Sequence, residues 1–514
     1  MRDTLRQRLG WLHTWIGFVT GLLLCVIFAG GTLAVFNTEI TRWMQPENSR
    51  LPSGLAPSPK ALEAARQNLE TLRAQGKQPF LSLPSARDPM LRVLQYDGHE
   101  FVGPALDPID GQRINVRQTV GGQLFYNLHF TLWLGRDWGR RVVDMLGLAM
   151  LVGILSGIII HLRLLLPDLV LFRPFAARAR AWLDGHVLAG VFFLPFIVGI
   201  TYTGVVSHAA AVLPDGAAIH RQAGPMPTAL KTPQALPSLT PMLTRAEAEF
   251  GAGQIGFFLF NPHHISAVRA DGASFLMTRD EAEFRYEDGA FLHYVKHIGA
   301  TTVLSQSFRG FHYARWTPLP LRWFYFLSGL GGTLLIASGL VLFLMRYRRR
   351  YGGTISFCLA ESLVIAVLVG FVVASLGLFW TNRLLCATLP FRAMWERNIF
   401  MAIWLFCLLH AWGMVLARQA MAAWRQQLLA VTLLGMGLPF LDILTRSGWA
   451  GLLGRNMFCT IHASALAVGI SAQALHQRLN TPHQTCESAC LPLLWFVHHS
   501  GLLFYRFLLE APLP

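Results

Sequence analysis

Charged side chains are scarce in this sequence, and their scarcity excludes an ordinary soluble protein. Only 14% of the 514 residues are Asp, Glu, Lys or Arg, whereas 53% are hydrophobic and the mean hydropathy is +0.42. Soluble globular domains carry roughly 25% charged residues. The composition therefore predicts a polytopic α-helical membrane protein, because backbone that faces lipid must satisfy its hydrogen bonds internally.

Familiar catalytic motifs are also missing. The sequence has no Walker loop, no GxGxxG after a strand and no HExxH motif. Without a flavin or nicotinamide domain, any electrons that the chain uses must come from a separate donor. Seven cysteines are present, but only Cys486 and Cys490 lie close together, so the sequence contains no disulfide framework.

The formal net charge of +15 does not predict nucleic-acid binding. Arginines cluster beside hydrophobic segments, as the positive-inside rule expects, and no nucleic-acid-binding motif accompanies them. We therefore expect contact with membrane lipid and no nucleic-acid partner.

Eight hydrophobic segments reach the length of about 20 residues that a membrane span needs. They are residues 11–36, 142–165, 182–207, 320–345, 357–380, 398–417, 427–445 and 457–475. Thirteen arginines lie in the end segments 2–8, 163–180, 346–350 and 418–425, against five in the short opposite loops 381–397 and 443–456. This bias predicts that both termini are cytoplasmic.

The spans divide the chain into alternating membrane and outer segments. Each long outer loop begins with a helical pattern, at 59–75 and 239–250, and continues with strand-like pieces punctuated by Asp-Gly turns. The predicted organisation is a first span at 1–36, an outer domain at 37–141, spans two and three at 142–207, a second outer domain at 208–319, a fourth span at 320–345, four further spans at 346–476 and a cytoplasmic or interfacial tail at 477–514.

Four histidines recur with matching positions in two copies of one unit. His13 and His186 lie about one turn inside the first and third spans, and each is followed four residues later by a glycine. His129 precedes Ser156 by 27 residues, and His312 precedes Ser338 by 26. The first part of the chain is thus a tandem repeat, and internal repeats in membrane proteins commonly bracket a site.

Paired imidazoles at equal depth on different helices suit the ligation of a haem iron. The repeat pairs His13 with His186 near the inner face and His129 with His312 near the outer face. A single histidine in a span is more often a packing or interfacial residue, so the pairing is what favours ligation. Zinc or copper is an alternative, although no carboxylate or thiolate recurs with the four histidines.

Other residues give weaker signals. His208 could approach the outer pair, His161 fits an interfacial role, and a third haem at His410 or His462 stays open. Asp184 could orient His186 as a hydrogen-bond acceptor or could simply mark a helix N-terminus. The remaining candidates are the loose metal-like spacing of His483, Cys486 and Cys490, and the outer histidines His263, His264, His293 and His297, which could touch an iron complex.

Short motifs resemble those of the PepSY-associated transmembrane proteins, often called iron-regulated membrane proteins. The motifs are R-x2-W-L-H-x-W-x-G at 8–17, L-H-F at 128–130, L-S-G at 155–157, D-x-H-x3-G at 184–190, T-G at 203–204 and the turn L-D-P-I-D-G at 106–111. Their order and spacing cover roughly residues 1–350. The resemblance implies two small α+β PepSY-like periplasmic domains on an all-α polytopic membrane protein of about eight helices.

The resemblance also implies an activity. Members of this family are similar to ferric-siderophore reductases of the bacterial inner membrane, which carry two b-type haems. The family pattern maps onto His13, His129, His186 and His312 as axial ligands. The implied partners are a ferric siderophore and an electron donor, either a cytoplasmic reductase or a quinol. The alternatives are a siderophore or metal permease and a non-catalytic PepSY interaction protein.

Overall fold

The structure is a computed structural model, and it describes most of the chain. The described residues are 2–47, 52, 54–96, 101–168, 173, 177–207, 235–261, 263–316, 318–446 and 456–480, and the side chains at 2–4, 162–168 and 456–458 are not described. The predictions for His208, His483, Cys486 and Cys490 lie outside these residues.

Helices dominate the described chain. They are α1 (Arg2–Ala34), α2 (Asn37–Met44), α3 (Pro59–Ala74), α4 (Gln123–Thr131), α5 (Arg136–Asp168), α6 (Arg178–Ser207), α7 (Leu239–Phe250), α8 (Ala300–Tyr313), α9 (Leu319–Tyr351), α10 (Ile355–Ile365), a π-helical turn (Ala366–Gly370), α11 (Phe371–Leu384), α12 (Arg392–Leu416), α13 (Ala420–Thr445) and α14 (Asn456–Asn480).

Nine strands complete the described elements. They are β1 (Phe80–Ser82), β2 (Leu91–Tyr96), β3 (Phe101–Val102), β4 (Ala105–Leu106), β5 (Arg113–Ile114), β6 (Ile255–Phe260), β7 (His264–Arg269), β8 (Glu281–Arg285) and β9 (Phe291–Val295).

The chain divides into two compact units. One comprises Met1–Ala34, Gln123–Thr201 and Phe326–Pro514, and it contains the long apolar helices. The other comprises Val35–Gly122 and Tyr202–Tyr325, and it contains all nine strands. Residues of both outer loops therefore belong to a single compact unit. The domain boundaries at 37–141 and 208–319 stay predictions.

Seven helical stretches of the described chain are long and apolar enough to cross a membrane, with α10, the π-helical turn and α11 counted together. A helix lies at each of the eight predicted segments, but α14, at the predicted span 457–475, is not among those seven. The predicted fold class, a polytopic helical membrane protein with a small α+β part, is confirmed.

Local sequence signals explain where α3 begins. The Ser58 side chain accepts a hydrogen bond from the Ala61 backbone N–H, and Pro59 occupies the first turn of α3, the standard start of a helix. The Asp-Gly turn that ends at Gly111 packs against this helix. Gly111 has φ +74°, and a Cβ there would come 2.7 Å from the Cβ of Ala64, so both the turn and the close packing require glycine.

Strands from the two outer loops form one antiparallel sheet. Its order is β5-β4-β2-β1-β6-β7-β8-β9, with β3 paired to β2. The halves join where β1 pairs with β6, through Leu81 opposite Phe258 and Ser82 opposite Phe257. The sheet, α3 and α7 share one hydrophobic core that includes Leu69, Leu81, Phe258 and Phe284. Burial of each such side chain stabilises the fold by about 1.5–3 kcal/mol.

Glu39 ties both halves of the outer unit together by ion pairs. Its carboxylate accepts hydrogen bonds from Arg87 at 2.9 and 2.6 Å and from Arg322 at 2.5 Å. Arg87 also donates to the Val35 backbone oxygen at 3.0 Å. Burial raises the pKa of Glu39, but the hydrogen bond and charge of Arg87 and the charge of Arg322 outweigh it and leave the pKa lowered.

Glu39→Gln should destabilise the outer unit, because it leaves two half-buried guanidinium groups without their counter-charge. Loss of a hydrogen bond to a charged group costs roughly 1.5–3 kcal/mol. Since the folded-state pKa lies below the ordinary value of 4.5, the stabilisation is complete above that pH. It is lost as the pH falls through the lowered pKa.

Thermal unfolding of the purified protein in detergent tests this expectation. The melting temperature of Glu39→Gln should be clearly below wild type at neutral pH, and the gap should shrink in acid. Glu63→Gln is the matched control, because the Glu63 side chain is 45% exposed where that of Glu39 is 15% exposed, and the substitution should change the melting temperature less. Equal effects of the two substitutions would contradict the role assigned to Glu39.

Candidate functional site

His13 of α1 and His186 of α6 face each other inside the helical unit. Their ring centroids are 6.4 Å apart, and the ring planes make an angle of 72°. Metal–imidazole bonds are about 2.0 Å long, so two ligand nitrogens across one metal lie about 4 Å apart and their ring centres about 6 Å. The observed separation is therefore the one that two axial imidazoles need.

Both imidazoles are oriented through Nδ1 by a neighbouring helix. Nδ1 of His13 lies 2.9 Å from the Gly153 carbonyl oxygen and 3.1 Å from Ser156 Oγ, both on α5. Nδ1 of His186 lies 3.1 Å from the Leu335 carbonyl oxygen and 2.9 Å from Ser338 Oγ, both on α9. The two copies of the repeat thus use the same pair of acceptors, a backbone carbonyl and the serine three residues later.

These contacts fix the tautomer of each ring. A carbonyl oxygen can only accept, so Nδ1 must carry a proton, and in the neutral imidazole Nε2 then carries the lone pair. The serine hydroxyls donate to the same carbonyls, each at 2.8 Å, and leave an oxygen lone pair for Nδ1–H. Ligating histidines characteristically donate their other ring N–H in this way, and the arrangement leaves Nε2 of His13 and His186 available as a ligand.

A glycine lies against each of the two rings. A Cβ at Gly157 would come 3.0 Å from Cε1 of His13, and a Cβ at Gly339 would come 3.3 Å from Cε1 of His186. The glycines therefore allow the rings to approach the neighbouring helix closely enough to reach its carbonyls. The Ser-Gly pairs that mark the repeat in the sequence thus form the support of its histidines.

Space remains beside the two ligand candidates on their own helices. A Cβ at Gly17, one turn after His13, would meet no atom within 4 Å, and one at Gly190, one turn after His186, would meet only Leu335 at 3.5 Å. Residues four apart lie on the same helix face. A flat apolar group beside the imidazoles would therefore meet backbone rather than side chains at these two positions.

His129 of α4 has a similar support in the same unit. Its Nδ1 lies 2.9 Å from the Ile27 carbonyl oxygen of α1, so Nε2 again carries the lone pair. A Cβ at Gly31 would come 2.7 Å from His129 Nδ1. Burial lowers the pKa of His129, although the hydrogen bond to Ile27 opposes the shift.

His312 of α8 belongs to the other compact unit and lies against the last turn of α6, which is part of that unit. Its Nδ1 is 3.5 Å from Thr203 Oγ1, and a Cβ at Gly204 would come 2.7 Å from its Cε1. Each copy of the repeat therefore places its outer histidine against a glycine of the helix that carries its inner histidine. His129 and His312 belong to different units, so their predicted pairing rests on the repeat alone.

In both copies of the repeat, the same distance along the helix separates the inner histidine from the glycine that contacts the outer histidine. Gly31 follows His13 by 18 residues, and Gly204 follows His186 by 18. At 1.5 Å per residue this is about 27 Å along each helix, close to the roughly 30 Å thickness of the hydrocarbon core. Each copy thus places one histidine level near each membrane face.

Three of the weaker candidates have identified neighbours. His161, on α5 one turn after Gly157, interacts electrostatically with His13 and His186. His462 Nε2 is 3.1 Å from Asp442, and both ring nitrogens of His410 contact glutamines of α13. A third haem at His410 or His462 stays a prediction and would require these contacts to break.

The suggestion that Asp184 orients His186 is wrong. The Asp184 carboxylate pairs with Arg173 at 2.8 Å and Arg180 at 2.9 Å, whereas His186 donates to α9. The two arginines offer full charges, which attract a carboxylate more strongly than a neutral imidazole does.

The outer histidines lie on or beside the strands of the sheet, and carboxylates approach three of them. Glu283 lies 3.6 Å from His264 and 3.7 Å from His293, and Asp280 lies 3.6 Å from His297. Within the described residues, no group of three or more His, Cys, Asp or Glu side chains is arranged to hold a metal ion. The described residues therefore contain no such group that could bind zinc or copper.

Sequence reasoning named the four histidines but missed the groups that hold them. Ser156, Ser338 and Gly204 lie in motifs of the repeat, but their role as supports depends on which helices touch. Gly31 carried no motif at all. The signal that could have found it is the shared 18-residue offset from the inner histidine.

These features define a multi-pass membrane protein with a duplicated histidine framework. A family model for the PepSY-associated TM region matches residues 10–346, which is more than half of the chain. The protein belongs to the PepSY-associated transmembrane family. A search of curated proteins finds no match.

Substitution of the glycines beneath the outer histidines should reveal these contacts. Alanine is more stable than glycine in a helix by about 1 kcal/mol, so Gly10→Ala, where a Cβ meets nothing within 4 Å, should stabilise the protein slightly. Gly31→Ala and Gly204→Ala should instead destabilise it, because overpacking costs roughly 1–3 kcal/mol. Melting temperatures that rise in all three variants would contradict the close packing.

Proposed function

We propose that this protein is a di-haem b oxidoreductase of the bacterial inner membrane that reduces the iron of a ferric siderophore in the periplasm. The observation that carries the proposal is the facing pair His13 and His186, 6.4 Å between ring centroids. Each is fixed through Nδ1 so that its Nε2 lone pair is available.

The residues fit the group on three counts. Two neutral imidazoles with available Nε2 lone pairs are the donor set of a six-coordinate haem iron. Their separation matches two axial bonds, and the glycines one turn away leave space beside them. Bound haem b would supply one-electron transfer, which is the change that separates Fe(III) from Fe(II).

His129 and His312 are proposed to hold the second haem. The Nδ1 of His129 lies 2.9 Å from the Ile27 carbonyl oxygen, and His312 packs on Gly204 as His129 packs on Gly31. The arginine bias predicts cytoplasmic termini, and in that orientation His13 and His186 lie toward the inner face and the second pair toward the periplasm. This order carries electrons toward the side where an imported siderophore arrives.

The chain's own residues also determine what reaches the inner site. Leu24, Leu146, Ile336 and Leu340 are buried in the apolar core around α1, α5 and α9, which keeps water away from the helix interior. Low polarity around a haem is one of the means by which a protein sets its reduction potential. The acceptor, a ferric complex, is proposed to bind at the outer unit.

A spectrum of the purified, dithionite-reduced protein with a haem count tests the cofactor. We expect b-type bands and two haems per chain. His13→Phe and His186→Phe should each lose the same haem, and His129→Phe and His312→Phe the other, because one axial ligand cannot hold haem b firmly. His297→Phe, an exposed histidine of the outer unit, is the control and should keep both. A colourless but folded protein would contradict the proposal.

Vesicles containing the protein test the reaction. With dithionite trapped inside, a ferric hydroxamate outside should be reduced, as followed by an Fe(II)-specific chelator in the outer solution. His13→Phe and His312→Phe should both abolish this reduction, since each removes one of the two levels that span the membrane. Movement of the iron complex into vesicles that hold no reductant would favour a permease instead.

A further inference from the structure

His410 of α12 carries a polar cluster in an otherwise apolar span. Its Nε2 is 2.8 Å from Gln426 Oε1, and its Nδ1 is 3.3 Å from Gln427 Nε2, both on α13. Gln427 also donates to the Cys407 backbone oxygen at 2.8 Å. Polar side chains are costly inside a membrane and mark functional positions by default.

The hydrogen bonds leave one strong acceptor unused. Gln427 is 4% exposed, and its Oε1 has no hydrogen-bond partner among the described residues. An unsatisfied buried amide oxygen costs about 1–3 kcal/mol. Gln427 Oε1 is therefore a buried acceptor that no described side chain satisfies.

The π-helical turn Ala366–Gly370 lies directly behind this cluster. A Cβ at Gly370 would come 2.8 Å from the Cβ of Cys407 and 3.4 Å from Gln427 Oε1, and Trp404 Nε1 donates to the Ala366 oxygen at 2.9 Å. Single π-helical turns occur frequently at functional sites. Here the turn and Gly370 bring the backbone of the span close to the unused oxygen.

The same turn connects the cluster with the helix of His13. Val367 and Leu368 pack in one hydrophobic cluster with Leu24 of α1. The π-helical turn beside the polar cluster therefore packs in the same core as the helix that carries His13.

The cluster opens toward lipid near the inner face. Gln426 is exposed, and the apolar neighbours Phe406 and Leu409 are 69% and 57% exposed. The Phe406 and His410 rings stack at 6.4 Å with an angle of 29°. His410 lies six residues before the end of α12, about 9 Å along the helix, at the end marked by arginines 418 and 425.

We infer that His410, Gln426 and Gln427 form a binding site for a membrane quinol, which is the electron donor of the proposed function. A quinol has two hydroxyl donors, a flat ring that can stack on Phe406, and an apolar tail that can lie along Phe406 and Leu409. It reaches the site from the bilayer, which a soluble donor cannot do. The inference rests on the proposed function for the fate of the electrons.

The chemistry balances with groups already named. One hydroxyl replaces Gln427 Nε2 as the partner of His410 Nδ1, and Gln427 keeps its hydrogen bond to Cys407. The other hydrogen-bond acceptor is Gln427 Oε1 or Gln426 Oε1. Oxidation of one quinol to quinone releases two electrons, which reduce two ferric ions to ferrous ions, and two protons, which leave to water at the inner face.

Reduction of the full-length protein in nanodiscs by decylubiquinol tests the site. His410→Phe and Gln427→Leu should slow the appearance of the reduced b-type bands at least tenfold, a factor that loss of one good hydrogen bond produces. Met394→Ala is the matched control: it truncates an exposed apolar side chain at the other end of the same helix and should keep the wild-type rate. Dithionite should reduce all four proteins to the same extent.

Labelling with an azidoquinone gives a second readout that needs no haem. Peptides from Arg392–Leu416 and Ala420–Thr445 should be labelled, and His410→Phe should lose the label. Unchanged rates in His410→Phe, labelling elsewhere, reduction by a soluble reductase but not by decylubiquinol, or loss of a third haem in His410→Phe would each overturn the site. A protein without haem that still labels at these helices would overturn the proposed function alone.

Discussion

The hydrogen bond from a histidine Nδ1–H to a backbone carbonyl of the adjacent helix is the interaction on which the framework depends. Within an α-helix the carbonyl is normally used by the N–H four residues later, so a second donor must approach its remaining lone pair from the side. Only a ring that lies almost on the helix surface can do so. This explains why Gly157, Gly339 and Gly31 lie beneath His13, His186 and His129.

The same bond removes the cost of placing imidazoles in a membrane. A neutral ring with its one N–H satisfied leaves a single lone pair to be matched, and a metal would match it. Both copies of the repeat orient the inner histidine with a carbonyl and a serine of the neighbouring helix. The arrangement therefore depends on which helices pack together. The helix that carries an inner histidine also supports the outer histidine of its own copy.

The sequence predicted much of this framework because its signals are local. Hydrophobic runs gave a helix at every predicted span, and the helical patterns at 59–75 and 239–250 gave α3 and α7 almost to the residue. The histidines were visible because they recur. What the sequence could not show were contacts between elements distant in the chain, such as the acceptors of His186 on α9.

The sheet illustrates the same limit. Alternating apolar residues indicate which face of a strand is buried, but the edge it pairs along depends on tertiary packing. The pairing of Leu81 with Phe258, which joins the two halves, could not be read from either loop. Asp184 shows the converse. It lies only two positions before His186 in the sequence, but its carboxylate pairs with arginines 173 and 180.

Electron paramagnetic resonance of the oxidised protein reports the axial ligands of each haem. Ligation by His13 and His186 predicts low-spin ferric haem with two imidazole ligands. For the inner site it predicts the strongly anisotropic signal of imidazole planes that are nearly perpendicular, in keeping with the 72° between His13 and His186. A high-spin signal at the inner site, or no haem signal at all, would contradict it.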